Sequence, residues 1–192
     1  MVTHPAVRKM NLSDGQQSEK ATFAGGCFWC MQPPFDKIKG VKKTVVGYTG
    51  GQQENPTYEE VCSGGSGHTE AIEVVYDHAQ VSYGELLDVF WHSIDPTTPN
   101  QQFADVGTQY RTAIFYHNED QQRLAQESKE KFHTLGVFKK PIVTEITLAS
   151  TFYPAEDYHQ EYYKKDAAHY KFYSAGSGRE GFINKTWCPL KK

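Results

Sequence analysis

Hydrophobic alternation divides the chain into short units. Residues 21–24 and 41–48 predict strands, and each is broken by a glycine pair, Gly25-Gly26 and Gly50-Gly51. Residues 71–76 and 142–148 are rich in β-formers, and 109–116 alternates in the same way. Helical spacing appears in Leu86, Leu87, Phe90 and Trp91, which predicts a helix over 83–93. A charged amphipathic helix is expected over 119–135 with Gly136 as its stop, and a further helix over 155–166. The stretch 30–39 also predicts a helix, ended by Gly40, but Pro33 and Pro34 lie in it. Interior proline costs about 3 kcal/mol, so this helix is expected to bend or to begin late. The polar stretches 52–69 and 95–106 are expected to be loops, and one as long as 52–69 without regular structure is usually functional or disordered. A glycine-bearing tail runs on to Trp187 and Cys188.

Strands alternating with helices predict an α+β fold: a two-layer α/β sandwich with a central mixed sheet, helices, and long functional loops gathered at one end. The pattern does not determine strand order. The length of 192 residues suits one core. The expected division is a polar arm over 1–18 and a single catalytic domain over 19–192 that includes the C-terminal tail.

Composition narrows the partners. A formal net charge of -3 without a basic cluster argues against nucleic acid. Neither a long apolar run nor the apolar core of a secretory signal is visible, so no membrane association and a cytoplasmic location are expected. Four cysteines are too few to staple a chain of this length, which makes them candidates for free, catalytic or redox-active thiols.

The chemistry centres on Gly25-Gly26-Cys27-Phe28-Trp29-Cys30. A cysteine between a strand and a helix sits where free N–H groups and the helix dipole favour a thiolate, so Cys27 is the candidate nucleophile. Cys30 is close enough to condense with an oxidised Cys27. Phe28 and Trp29 place aromatic surface, which attracts sulfur and methyl groups, beside the reactive sulfur.

A lone C-x-x-C leaves other readings open. The zinc deaminase pattern also has H-x-E, as in His68-Thr69-Glu70, but there the cysteine pair follows it and is preceded by proline, which is the reverse of the order here. The histidines show no ligand spacing, so no metal is expected. A thioredoxin-like C-x-x-C thiol-disulfide oxidoreductase is the stronger alternative, although tryptophan here lies between the cysteines. A non-enzymatic module binding apolar or sulfur-containing peptides would leave the acid and phenol donors unexplained.

Several further pieces occur in a telling order: Gly47-Tyr48-Thr49-Gly50-Gly51, Pro56-Thr57-Tyr58, Glu60-Val61-Cys62-Ser63-Gly64, Gly67-His68-Thr69-Glu70, Asp105-Val106-Gly107-Thr108-Gln109-Tyr110-Arg111 and Ala155-Glu156-Asp157-Tyr158-His159-Gln160. Together with Gly26-Cys27-Phe28-Trp29 they resemble the peptide methionine sulfoxide reductase A family from about Thr22 to Trp187.

The resemblance implies reduction of methionine S-sulfoxide, free or in peptides and proteins, as a repair of oxidative damage. It places attack on the sulfoxide sulfur at Cys27, leaving a sulfenic acid, and proton donation at Glu70, a carboxyl whose pKa burial would raise. It makes Tyr58 and Tyr110 the phenols that hydrogen-bond the sulfoxide oxygen, Asp105 a residue orienting loop or substrate, and Phe28 and Trp29 the wall around the substrate methyl. Cys62 is expected to be a buried structural thiol and His68 a loop-shaping one, while His159 has no assigned role. Many family members carry Gly at the position of Cys30 and resolve the sulfenate from a C-terminal tail. Here Cys30 is the first candidate to resolve it, because a short loop closes at little entropic cost, and Cys188 is the second. The resemblance further implies no bound cofactor and an external dithiol reductant such as thioredoxin.

Overall fold

The computed structural model describes residues 18–187. Its first half runs β1 (Ser18–Gly25), α1 (Phe28–Asp36), β2 (Val41–Thr49), α2 (Tyr58–Cys62), β3 (Thr69–Asp77) and α3 (Tyr83–His92). A two-stranded hairpin follows, β4 (Gln101–Gln102) with β5 (Asp105–Val106), and then β6 (Thr112–Tyr116), α4 (Glu119–Thr134), β7 (Glu145–Leu148) and β8 (Tyr153–Pro154). Three helices end the chain: α5 (Tyr162–Lys165), α6 (Ala167–Gly176) and α7 (Arg179–Trp187).

The central sheet has the order β7-β6-β1-β3-β2-β8. All its pairs are antiparallel except β6 with β7, so the sheet is mixed, as the pattern predicted. Successive strand residues face opposite sides. Ala21, Phe23, Ile72, Val74 and Ile114 lie on one face, in one core with Met31 and Phe35 of α1, Leu86, Leu87, Phe90 and Trp91 of α3, and Ala125 and Phe132 of α4. The opposite face carries a smaller cluster of Ala24, Ala71, Ala113 and Phe115, covered by Ala149 and Phe152. Glu70 stands two residues before Ile72 on β3, so the alternation that buries Ile72 and Val74 also turns Glu70 toward the helix face.

Several local expectations are corrected. First, α1 begins at Phe28 rather than late, with both prolines inside it. The Cys27 carbonyl closes the first turn by accepting from Cys30 N–H (3.1 Å) and Met31 N–H (3.3 Å), and the buried Phe28, Met31 and Phe35 hold the helix by tertiary packing. Second, the stretch 52–69 contains α2, started by a reciprocal cap: Thr57 Oγ1 accepts from Glu60 N–H, and Glu60 Oε2 accepts from Thr57 N–H at 2.8 Å.

Third, 155–166 is helical only at α5. Gln160 instead satisfies the outer edge of β2, accepting from Val46 N–H (3.0 Å) and donating to Val46 O (2.8 Å), and Glu161 takes φ +51°. Fourth, the tail beyond 166 is the helix pair α6 and α7, with Asp166 capping His169 N–H at 3.1 Å. The expected loop at 95–106 likewise holds the β4–β5 hairpin, and β6 starts only at Thr112, after a 3-10 turn over Thr108–Tyr110. Among the described residues, no helix is long and apolar enough to cross a membrane.

Candidate active site

The site lies where β1 hands the chain to α1. Gly26 takes φ +78°, and a Cβ there would stand 2.4 Å from Gln102 Cβ, so only glycine makes this turn against the β4–β5 hairpin. The turn delivers Cys27 to the N-cap position of α1 and Cys30 to its first turn. Both thiols are free and buried, at 6% and 4% exposure.

Phe28 N–H, the first free donor of α1, donates to Glu70 Oε2 at 2.9 Å. A carboxylate at a helix N-terminus is ordinarily stabilised, yet Glu70 is only 2% exposed. Burial outweighs the Phe28 hydrogen bond, and the charges of Asp105 and Cys30 add to it, so the Glu70 pKa is pushed up to about 8. The carboxyl is therefore predominantly neutral at pH 7, in line with the expectation for this residue.

The thiol pair departs from its expectation. Burial, then the hydrogen bond and charge of Cys30, then the charge of Glu70 push the Cys27 thiol well up, and a hydrogen bond with Tyr173 opposes them only in part. The hydrogen bond from Cys27, aided by the Arg179 charge and Ser174 against the opposing effect of burial, brings Cys30 down to about 7. The pair thus favours negative charge on Cys30 over Cys27, opposite to the preference expected from the helix dipole. The cause is the fold: Glu70 takes the N–H that would have served the sulfur, and burial removes water.

Tyr58 opens α2 and Tyr110 closes the 3-10 turn before β6, and both are partly exposed. Burial is the largest influence on each hydroxyl; Cys62 and Glu70 come next for Tyr58, and Glu70 and Cys62 for Tyr110, and both pKa values move far upward. They are neutral donors at any physiological pH. Cys62 is partly exposed rather than buried, and desolvation still pushes its thiol upward. Glu156 fixes this wall by accepting from Tyr58 N–H (2.9 Å) and Tyr48 Oη (2.8 Å). Asp105, at the start of β5, accepts from Tyr173 Oη at 2.5 Å.

Phe28 is 1% exposed and packs on Tyr48 and His159, whereas Trp29 is partly exposed. Trp29 Nε1–H donates to His159 Nδ1 at 3.0 Å, and the indole stacks on Tyr162 with ring centres 4.0 Å apart. His159 thereby gains a role in fixing Trp29. His68 shapes its loop as expected, accepting from Gly51 N–H at 3.1 Å and meeting Gln53 O at 2.7 Å. Cys188 lies outside the described residues.

The pattern missed the contribution of α6 and α7. Tyr173 donates to Asp105, Tyr173 and Ser174 lower the pKa of Cys27 and Cys30 respectively, and Arg179 lies buried against the Gly25 carbonyl. The one local signal was Asp166 ahead of Ala167-Ala168, an N-cap before good helix formers.

No group of three or more potential metal ligands occurs among the described residues. Adjacent buried thiols, one neutral carboxyl and a pair of neutral phenols define an oxidoreductase that works through sulfur. A family model described as peptide methionine sulfoxide reductase matches residues 19–190, and the chain belongs to that family. It is 57% identical over 169 residues to the peptide methionine sulfoxide reductase MsrA of Listeria innocua, covering 88% of this chain and 96% of that one. To MsrA of Bacillus subtilis it is 55% identical over 172 residues, 90% and 97% of the two chains. Among solved structures, reduced Mxr1 from Saccharomyces cerevisiae matches with a TM-score of 0.76 and 31% identity, covering 83% of this chain and 92% of that one. Methionine sulfoxide reductase A of Corynebacterium diphtheriae matches with a TM-score of 0.71 and 36% identity, covering 79% and 76%. The reaction is the thiol-dependent reduction of methionine sulfoxide to methionine, and the C-x-x-C oxidoreductase alternative is not favoured.

Proposed function

We propose that Cys27 attacks the sulfoxide sulfur, that Glu70 supplies the proton to its oxygen, and that Cys30 resolves the product. The observation that carries this reading is the neutral, buried Glu70 carboxyl bonded to the first N–H of the helix that bears both thiols. Cys27 passes its thiol proton to the Cys30 thiolate and attacks the sulfur while Glu70 protonates the oxygen. The oxygen moves to Cys27 and methionine leaves, so the cysteine sulfur is oxidised by two electrons to a sulfenic acid and Glu70 is left as carboxylate. Tyr58 and Tyr110 donate to the oxygen as negative charge develops there. Trp29 and Phe28 offer an apolar wall to the methyl, and Asp105 orients its surroundings through Tyr173. The Cys30 sulfur then attacks the Cys27 sulfur, the S–O bond breaks, and the oxygen leaves as water with the Cys30 proton.

The resulting disulfide requires a dithiol donor. Mxr1 of yeast has been crystallised in complex with Trx2, and a thioredoxin-type donor in a reducing, cytoplasmic setting is our reading for this chain. Residues 19–192 are read as one catalytic domain following a short polar arm. Cys188 remains the second candidate for resolution.

The test mixes pre-reduced protein with excess methionine sulfoxide peptide, without reductant. One methionine per protein with a Cys27–Cys30 disulfide is expected by mass spectrometry. A Cys27–Cys188 link would move the resolving role to Cys188, and turnover by Cys27→Ser would overturn the nucleophile.

A further inference from the structure

Arg179 opens α7, lies 5% exposed, and makes no ion pair with a carboxylate among the described residues. Its Nη2 donates to Gly25 O at 2.9 Å, on the last residue of β1, and its Nη1 donates to Ser93 O at 2.6 Å, just beyond α3. The same Nη1 lies 3.6 Å from Met31 Sδ, on the residue after Cys30. The guanidinium also sits 4.7 Å from the Phe103 ring centre, within the β4–β5 hairpin, and its Nε has no hydrogen-bond partner among the described residues. A buried cation satisfied only by neutral groups is costly unless an anion lies near it.

We propose that Arg179 is a positioning residue of the resolving step: anchored on the Gly25 and Ser93 carbonyls beneath the catalytic turn, it supplies the counter-charge that holds Cys30 as a thiolate ready to attack oxidised Cys27. The proposal rests on the reading of Cys30 as the resolving thiol. The groups whose charge or hydrogen bonding acts on Cys30 are Cys27 from the start of α1, Glu70 from β3, Asp105 from β5, Tyr170 and Ser174 from α6, and Arg179 from α7. Glu70 and Asp105 oppose the thiolate, and the Cys27 S–H that favours it at rest is consumed when Cys27 takes up oxygen. Arg179 is then the one cation among these groups. In the step itself the Cys30 proton passes to the Glu70 carboxylate left by the first step, the Cys30 thiolate forms the S–S bond, the S–O bond of Cys27 breaks, and hydroxide leaves as water with that proton.

The test compares wild type, R179M and R179K in a single turnover without reductant, following methionine, free thiols and dimedone-trapped sulfenic acid. For R179M at pH 7 the ratio of disulfide closure to methionine release is expected to fall at least about fivefold, the thiolate fraction lost when a pKa of about 7 rises by one unit. Sulfenic acid should accumulate, the defect should fade by pH 9, and R179K should restore closure to within about threefold. A wild-type ratio in R179M overturns the inference, as does a defect equal at pH 7 and 9 that R179K shares, because that marks a merely structural residue. Should R179M not fold by circular dichroism, the 13Cβ resonance of Cys30 in reduced wild-type protein decides. Titration near 7 is expected, and titration only above about pH 9, beyond the usual thiol range, overturns the proposal. Wild-type protein that turns over without a Cys27–Cys30 disulfide sinks the resolving assignment itself, whereas normal closure in R179M sinks only the role of Arg179.

Discussion

The backbone N–H of Phe28 points at Oε2 of Glu70, 2.9 Å away, across 42 residues of sequence. That single bond ties β3 to the start of α1 and puts the acid beside the thiol. It also settles which group uses the helix N-terminus: the carboxyl takes the donor, and the sulfur keeps its proton more tightly.

Glu70→Gln is expected to slow methionine release by about 100-fold or more, the usual contribution of a general acid. In wild type the release rate should fall as pH rises through about 8, because the active form is the protonated carboxyl. The glutamine variant should lose that descending limb. Stability carries the same sign. A folded-state pKa raised above the unfolded one gives stability that is fully present below the unfolded pKa of about 4.3 and lost as pH rises through the folded value. Unfolding by urea at pH 9 should find the variant more stable than wild type by up to about 5 kcal/mol, from the size of the shift. Equal stabilities at pH 5 and pH 9 would contradict the raised pKa.

Tyr58→Phe and Tyr110→Phe each leave one phenol facing the site. Each single change is expected to reduce single-turnover methionine release about tenfold, and the double change about 100- to 1000-fold, in the range for losing donors to developing negative charge. Far-UV circular dichroism should be unchanged, since neither hydroxyl is a buried atom left without a partner. A double variant no slower than the singles would remove one phenol from the oxygen.

Gly26→Ala places a methyl 2.4 Å from Gln102 Cβ at a φ of +78°. Gln102 cannot yield easily, because its amide donates to Asp95 O at 2.6 Å and accepts from Asp95 N–H at 3.0 Å. The strain and overpacking together should cost more than about 2 kcal/mol and displace Cys27. Gly181→Ala in α7 is the control: nothing lies within 4 Å of its added Cβ, and helix propensity should make it neutral or stabilising by up to about 1 kcal/mol. Similar melting temperatures for the two variants would refute the account of the turn.

Much of the site could be read along the chain because its parts are local. The Gly25-Gly26 turn, the neighbouring thiols and the alternation of β1, β2 and β3 are written in consecutive residues, and the order of motifs carried the family resemblance. The Thr57-x-x-Glu60 cap of α2 went unread, because it lay inside a stretch whose glycines and prolines suggested an irregular loop.

What the sequence by itself determined is the family, the residues proposed for its chemistry, and a mixed sheet to carry them. The tertiary structure alone decided how they are tuned. Glu70 occupies an apolar row of β3, and its burial raises its pKa; the same burial, with Glu70 taking the Phe28 N–H, reverses the expected thiolate preference of Cys27. Tyr173 reaches Asp105, and Arg179 the Gly25 carbonyl, from helices that a reading by composition left as tail. The physical reason is range. Periodicity and capping act within a few residues, whereas desolvation and charge depend on neighbours 42 to 154 positions away, as in the Phe28–Glu70 and Gly25–Arg179 hydrogen bonds.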